Sequence, residues 1–148
     1  MLILGGLVMI MTRKKTILET KSKAFASRII KLYQYLTSSK KEHVISKQLY
    51  RSGTSIGANI AESRYAQSDA DFVSKLQIAL KEANETCYWI DCLYNANILE
   101  EKGYQSIYMD ATELVKILTS SIKTKKENMC RNAISNEQNV ITPITYDL

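Results

Sequence analysis

The chain has 148 residues, of which 45% are hydrophobic and 24% charged, and it contains five glycines and a single proline. This length and composition suffice for one domain with a proper core, and they argue against a disordered chain. The scarcity of glycine and proline leaves little turn chemistry, which excludes a sandwich or barrel of many short strands and favours long helices.

Charge is distributed unevenly along the chain, although the net charge is only +5. Residues 13–64 hold twelve lysines and arginines against three aspartates and glutamates, which gives +9. Residues 65–148 hold eight against twelve, which gives −4, and the two sums recover +5. A basic half joined to an acidic half indicates an anionic partner or head-to-tail self-association, and two solvated faces without a partner are the plain alternative.

The first fifteen residues precede the predicted fold. Met1 to Met11 form an apolar run, and basic residues follow at positions 13–15. Such a run is too short to span a bilayer, and a signal peptide carries its positive charge before the apolar stretch. Two interpretations remain for residues 1–15: a disordered leader, or an upstream extension with true initiation at Met9 or Met11. We expect the second.

The first predicted helix runs from about Thr16 to Lys40. Its apolar residues alternate at spacings of four and three, as on a helix that faces a bundle core. This row consists of Leu18, Ser22, Phe25, Ile29, Leu32 and Leu36. On the outer side, Lys14, Lys21 and Arg28 recur every seven residues, and this spacing predicts a basic ridge. The same sign continues at Lys31, Lys40, Lys41, Lys47 and Arg51.

The second predicted helix, about Val44 to Ser63, contains Gly53 and Gly57 in its interior. Each internal glycine costs a helix roughly 1 kcal/mol relative to alanine. We expect close approach to compensate this cost, since the glycines and the small residues around them leave a nearly bare backbone against which a neighbouring helix can pack.

Polar residues beside this seam are predicted to form a structural cluster. Its members are Arg51, Asn59, Glu62 and Glu85. Because buried polar groups need partners, we expect Glu62 or Glu85 to pair with Arg51 and Asn59 to bond across the seam. Paired carboxylates for metal binding or acid–base work are the alternative.

The third predicted helix, about Asp69 to Ile98, begins with Ser68 as its N-cap and an acidic residue three positions later. It carries two adjacent apolar rows, which is more than the core needs, so we expect it to contact something extra. Tyr88 and Trp89 lie off the main row and are predicted at an oligomer interface, with burial of Trp89 at the core edge as the alternative.

The fourth predicted helix extends from about Tyr104 to Lys126, after a turn at residues 99–103. Beyond Glu127 the apolar periodicity stops, and residues 128–148 are predicted to be a mobile polar tail. Four helices with short connections predict an all-α, antiparallel up-down-up-down four-helix bundle over residues 16–127.

Catalytic and metal chemistry finds little support in the sequence. The three cysteines have no zinc-type spacing, which is typical of reduced thiols in a cytoplasmic protein. His43 is the only histidine, and no Glu-x-x-His pair or glycine-rich phosphate loop is present. We therefore predict a cytoplasmic protein that is not an enzyme and that uses no metal or cofactor.

Several motifs together resemble one bacterial family. They are the run Gln48–Glu62 with its Asn59-Ile60-Ala61-Glu62 element, Asp71-Phe72, Leu76–Leu80, Glu82 and Glu85. These motifs are similar to those of the four helix bundle protein family, which includes proteins encoded in intervening sequences of 23S rRNA genes. The resemblance covers roughly residues 17–126. Ser63 stands where the family usually has glycine, so the end of this helix is expected to differ.

The resemblance implies a cytoplasmic bundle that assembles as a ring, typically a homopentamer. A relative is the accessory variability protein of diversity-generating retroelements, for which the resemblance implies a basic surface that binds nucleic acid and a reverse transcriptase.

Two functions are predicted. The first is a non-catalytic oligomeric scaffold that binds RNA or DNA through backbone charge. Its candidate residues are Lys14, Lys21, Arg28, Lys31, Lys40, Lys41, Lys47 and Arg51. No recognition helix or stacking platform is evident, so base reading is not expected. The second is a protein-interaction ring without a role in nucleic-acid binding.

Overall fold

The computed structural model describes residues 16–140 and shows four α-helices and no strand in this part of the chain. The helices are α1 (Ile17–Ser38), α2 (Ile45–Ser63), α3 (Asp69–Asn95) and α4 (Glu101–Val140). Short turns make successive helices antiparallel, and each helix packs on its neighbours in the cyclic order α1, α2, α3, α4. The predicted all-α four-helix bundle is confirmed, whereas the predicted leader at 1–15 and the last part of the predicted tail, 141–148, lie outside the described residues.

Side-chain caps fix the starts of α1 and α3. At α1, the Glu19 N–H donates to Thr16 Oγ1 at 3.2 Å and the Thr16 N–H donates to Glu19 Oε2 at 2.6 Å, which completes a capping box. At α3, the Asp71 N–H donates to Ser68 Oγ at 3.1 Å, so Ser68 is the N-cap as predicted. A cap of this kind is typically worth about 1 kcal/mol.

The turn between α3 and α4 starts earlier than predicted. Asn97 adopts a φ of 58°, in the left-handed region that asparagine tolerates better than most residues. This conformation cannot continue the helix, so α3 ends at Asn95 rather than at Ile98. The chain reverses within a few residues, and α4 begins at Glu101, inside the predicted turn.

The fourth helix is longer than the sequence suggested. It reaches Val140, the last described residue, which corrects the predicted tail: residues 128–140 continue α4. Their polarity indicated a tail, but neither glycine nor proline interrupts the chain before Pro143. In addition, Met129 still packs partly against the core.

The core is built from the predicted apolar rows of all four helices. Its fully buried side chains include Phe25 and Ile29 of α1, Leu49 and Ile56 of α2, Leu76 and Ile90 of α3, and Leu114 and Leu118 of α4. The second apolar row of α3 also packs within this chain, since Val73 is buried and Tyr94 stacks on Tyr104 of α4 with ring centroids 4.1 Å apart. This row therefore no longer requires an outside partner.

The two glycines of α2 both lie in the helix and face α1, but only one is required by space. A Cβ on Gly53 would lie 2.8 Å from Cγ1 and 3.0 Å from Cγ2 of Ile29, a β-branched and fully buried side chain with few rotamers. A Cβ on Gly57 would lie 3.5 Å from the Ser22 carbonyl oxygen, which is an ordinary contact. The predicted close approach is confirmed at Gly53, whereas Gly57 has room for a methyl group.

A second small-residue contact joins α2 to α3. Ser52 and Thr86 are both fully buried, and their hydroxyl oxygens are hydrogen-bonded at 3.1 Å. A buried hydroxyl without a partner would be costly, so each of these residues satisfies the other. Gly53 and Ser52 thus place α2 tightly between its two neighbours.

The two glycines provide a matched test of this packing. We expect Gly53→Ala to lower the free energy of unfolding by about 1–2 kcal/mol, because overpacking against Ile29 outweighs the gain in helix propensity. Gly57→Ala should instead raise it by up to about 1 kcal/mol. Urea unfolding of both variants measures these changes, and equal effects at the two positions would contradict the steric role of Gly53.

Candidate nucleic-acid interface

Two cations of the predicted ridge form intramolecular ion pairs that join α1 to α4. Lys21 Nζ lies 2.9 Å from Glu113, and Arg28 pairs with Asp110. Arg28 also donates to Ser106 Oγ at 2.9 Å. Because their charge is compensated by carboxylates of the same chain, these side chains are poor candidates for phosphate contacts.

Arg51 is likewise engaged, across α2 and α3. It pairs with Glu85 and lies 3.5 Å from Glu82, while the Trp89 indole N–H donates to Glu85 at 3.1 Å. The Trp89 hydrogen bond and the Arg51 guanidinium lower the pKa of Glu85 against the opposing effect of burial. The same carboxylate raises the pKa of Arg51. These groups form a structural cluster, in which the Arg51–Glu85 ion pair stays charged over a wide pH range.

The other two members of the predicted polar cluster lie elsewhere. The Asn59 amide donates to the Ser55 carbonyl of its own helix at 2.9 Å instead of crossing the seam, which is a bond that short polar side chains often make with the preceding turn. Glu62 pairs with Lys75 of α3 at 3.0 Å. The structure therefore brings together Arg51 and Glu85, but not Asn59 and Glu62.

Five lysines on the outer side of the α1–α2 hairpin have no carboxylate partner among the described side chains, those of residues 16–136. They are Lys23, Lys31, Lys40, Lys41 and Lys47, which we call the basic face. Four of them belong to the predicted set, and Lys14 of that set lies outside the described residues. Sequence reasoning missed Lys23, because it falls outside the seven-residue spacing of the ridge.

The basic face is almost free of opposing charge. Between residues 20 and 61 the sequence contains a single carboxylate, Glu42. Its oxygens accept hydrogen bonds from the N–H groups of Val44, Ile45 and Ser46 at 3.0, 2.8 and 2.6 Å. Glu42 therefore caps α2, and its charge points at the positive end of that helix rather than at the lysines.

The capping bonds also set the ionisation of Glu42. Partial burial by itself would raise the pKa of this carboxyl group, but the three backbone donors and the Ser46 hydroxyl outweigh it, and the pKa is lowered from 4.5. Glu42 is thus firmly ionised at neutral pH and holds the first turn of α2 in place.

The turn between α1 and α2 places a lysine where other residues would fit better. Lys41 adopts a φ of 56°, in the left-handed region that glycine and asparagine prefer. The equivalent turn at the other hairpin uses Asn97 at a φ of 58°. The backbone at Lys41 is therefore strained. Its charged side chain lies in the turn of the hairpin, next to Lys40.

Aromatic rings accompany the basic face, which the sequence did not reveal. Tyr33 of α1 and Tyr50 of α2 pack with ring centroids 4.9 Å apart and planes tilted by 49°. On the side of α1 that faces α4, Lys40 Nζ lies 5.8 Å from the centroid of the Tyr35 ring. The tyrosines are far apart in sequence, and only the register between α1 and α2 brings Tyr33 onto Tyr50.

The predicted interface residues of α3 lie on another side of the bundle. Tyr88 is 59% exposed, whereas Trp89 is half-buried and held by Glu85. Ile78, 41% exposed, lies on the same helix. These exposed side chains offer apolar area that a second protein surface could bury.

The histidine and the cysteines that the structure describes do not form a catalytic or metal site. His43 is exposed in the turn before α2, and the described residues hold no group of three or more His, Cys, Asp or Glu arranged for a metal ion. Cys87 packs against the core, where burial raises the pKa of its thiol to about 11. Within residues 16–140, no helix combines the length and apolarity that crossing a membrane requires.

Comparison with known proteins points to one family. Residues 14–120 match the family described as 23S rRNA-intervening sequence protein. A similar solved structure is the crystal structure of a protein with unknown function from the S23 ribosomal protein family of Bacteroides thetaiotaomicron. It is 53% identical to this chain, covers 72% of it and 99% of its own length, and superposes with a TM-score of 0.72. No curated protein matches the sequence.

The cap at Glu42 predicts a defined pH dependence. Since its folded-state pKa is lowered, Glu42 stabilises the fold above pH 4.5, and this stabilisation is lost as the pH falls through the folded-state value. We expect Glu42→Gln to cost about 1 kcal/mol at pH 7. The cost should shrink in acid, where the native carboxyl is protonated too. Urea unfolding of both proteins against pH measures it, with Glu127→Gln as an exposed control, and a cost that does not shrink as the pH falls would contradict the assignment.

Proposed function

The chain belongs to the 23S rRNA-intervening sequence protein family, and we propose that it is a non-catalytic accessory protein that binds nucleic acid through phosphate contacts. The observation that carries this proposal is the basic face. Three cations of the hairpin are neutralised by α3 and α4, and five lysines are not. A surface that retains uncompensated charge in this way is suited to a polyanion.

The spacing of the lysines suits a strand that follows the hairpin. Lys23 and Lys40 are seventeen residues apart, which corresponds to roughly 25 Å along the bundle axis at 1.5 Å per residue. Lys31 and Lys47 lie between these ends on adjacent helices. The five side chains are flexible and carry point charges, so they favour phosphate contacts over base reading.

Weak dependence on sequence follows from the same geometry. The two helices that carry the basic face do not separate to enter a major groove, since α1 and α2 are held against each other at Gly53. Contacts to the backbone position a nucleic acid but carry no sequence information. We therefore expect this protein to act as a holder of RNA or DNA.

A second candidate function is a protein-interaction oligomer, and the exposed apolar residues of α3 favour it. Tyr88 and Ile78 lie away from the basic face, so assembly and nucleic-acid binding are compatible. We propose that Tyr88, beside Trp89, contributes to contacts between copies, with a pentamer as the assembly that the family resemblance implies. The reverse transcriptase implied by the same resemblance is a further proposed partner.

Salt dependence tests the first function. With labelled oligonucleotides of about 20 residues, affinity should fall between about 50 and about 200 mM salt. The slope of log K against log salt should be about −0.7 per single-strand phosphate contact and about −0.9 on duplex DNA. Lys31→Ala and Lys47→Ala should each weaken binding and reduce this slope by about one contact. Fluorescence anisotropy measures both quantities.

Two controls keep the lysine experiment specific. Lys116→Ala removes an exposed charge of α4 and should leave the slope unchanged. Lys41→Gly should weaken binding while raising stability by about 1 kcal/mol, because glycine relieves the left-handed strain. A loss of affinity therefore cannot be attributed to unfolding. Absence of binding to single strands and duplexes at low salt would refute the proposed function.

Light scattering tests the second candidate. Tyr88→Ser should lower the subunit number of the protein in solution, because it removes an exposed aromatic anchor. The matched control is Tyr65→Ser, at an 81% exposed tyrosine in the turn between α2 and α3, which should leave the subunit number unchanged. A monomeric wild-type protein, or an assembly indifferent to Tyr88, would contradict the interface.

A further inference from the structure

The tyrosine pair of the basic face has no structural role comparable to that of Tyr94 and Tyr104. Tyr94 and Tyr104 stack on each other, and their hydroxyls donate to Glu101 and to Asp91. Within the described residues, the hydroxyls of Tyr33 and Tyr50 make no hydrogen bond. The pair is therefore held by ring packing alone.

Its position on the surface exposes one ring and supports it with the other. Tyr50 is 39% exposed, whereas Tyr33 is half-buried between the two helices and packs against it at 4.9 Å. Ile30, also 39% exposed, lies one turn from Tyr33 on α1 and extends the apolar surface. Because Tyr33 already restricts the Tyr50 ring, that ring loses little conformational freedom when a second flat group packs on it.

Lysines surround this apolar spot. Lys47 lies one turn before Tyr50 on α2, and residues with this spacing are about 5–6 Å apart on a helix surface. Lys31 follows Ile30 on the outer side of α1, and Lys23 lies two turns before Ile30 on its side of the helix. An aromatic surface flanked by cations fits a ligand that combines flat rings with phosphates.

We propose that Tyr50, supported by Tyr33, is a base-stacking platform, and that the basic face takes single-stranded rather than duplex nucleic acid. This inference rests on the proposed function. In a duplex the bases stack on one another and present only their edges, so a tyrosine ring cannot cover them. An unpaired base offers its whole face while its neighbouring phosphates lie over the lysines.

The test compares single strands with duplexes at equal salt. Fluorescence anisotropy with labelled oligothymidylate, oligouridylate and a duplex of equal length should show tighter binding of the single strands. Tyr50→Ala should weaken single-strand binding by about 5- to 150-fold, the range measured for loss of one stacked base, and leave duplex binding unchanged. Tyr50→Phe should bind like the wild type, because stacking needs the ring and not the hydroxyl.

Salt separates stacking from charge. The ratio between wild type and Tyr50→Ala should stay constant as salt rises, whereas the effect of Lys47→Ala should shrink. Tyr65→Ala is the control for removing an exposed tyrosine, and matching thermal unfolding curves verify that Tyr50→Ala folds. Equal affinity for single strands and duplexes, or a Tyr50→Ala variant that binds like the wild type, would overturn the platform and leave the proposed function intact. Failure of the wild type to bind either substrate at low salt would overturn both.

Discussion

The contact between Gly53 and Ile29 determines how closely the first two helices can approach, and the rest of the surface depends on it. With no side chain at position 53, the Ile29 side chain occupies the space that a Cβ would need. This steric fit fixes the register of α1 against α2. The same register places Tyr33 against Tyr50. The packing of Ile29 against Gly53 thus determines which side chains meet on the surface of the hairpin.

The distribution of charged residues along the chain makes this surface positive. The acidic second half of the chain supplies carboxylates to Lys21, Arg28 and Arg51, whose side chains reach across to α4 or α3. The lysines of the basic face have no carboxylate partner among the side chains that the structure describes. Glu42, which could have neutralised the tip of the hairpin, is instead bound by the start of α2. These carboxylates therefore stabilise the fold, and the charge that remains unpaired on the α1–α2 hairpin is positive.

The sequence predicted well what depends on local pattern. The helices, the Ser68 cap and the close approach at Gly53 follow from periodicity and from the chemistry of single residues. Partners across helices depend on register, which one sequence does not reveal, so Lys21 and Arg28 were assigned to binding although they pair with α4. The tyrosine pair was missed for the same reason. The length of α4 was underestimated, because polar residues without glycine or proline remain compatible with a helix.

The ion pairs between α1 and α4 have a mechanical consequence. Among neighbouring helices, α1 and α4 make the least extensive contact. The ion pairs Lys21–Glu113 and Arg28–Asp110 join them there. Exposed ion pairs are weakened by dissolved ions, whereas the fit of Ile29 against Gly53 is not. Because of this difference, we expect rising ionic strength to weaken the contact between α1 and α4 before the contact between α1 and α2. Ionic strength would therefore act twice on this protein, on the ion pairs between α1 and α4 and on the proposed binding of a polyanion.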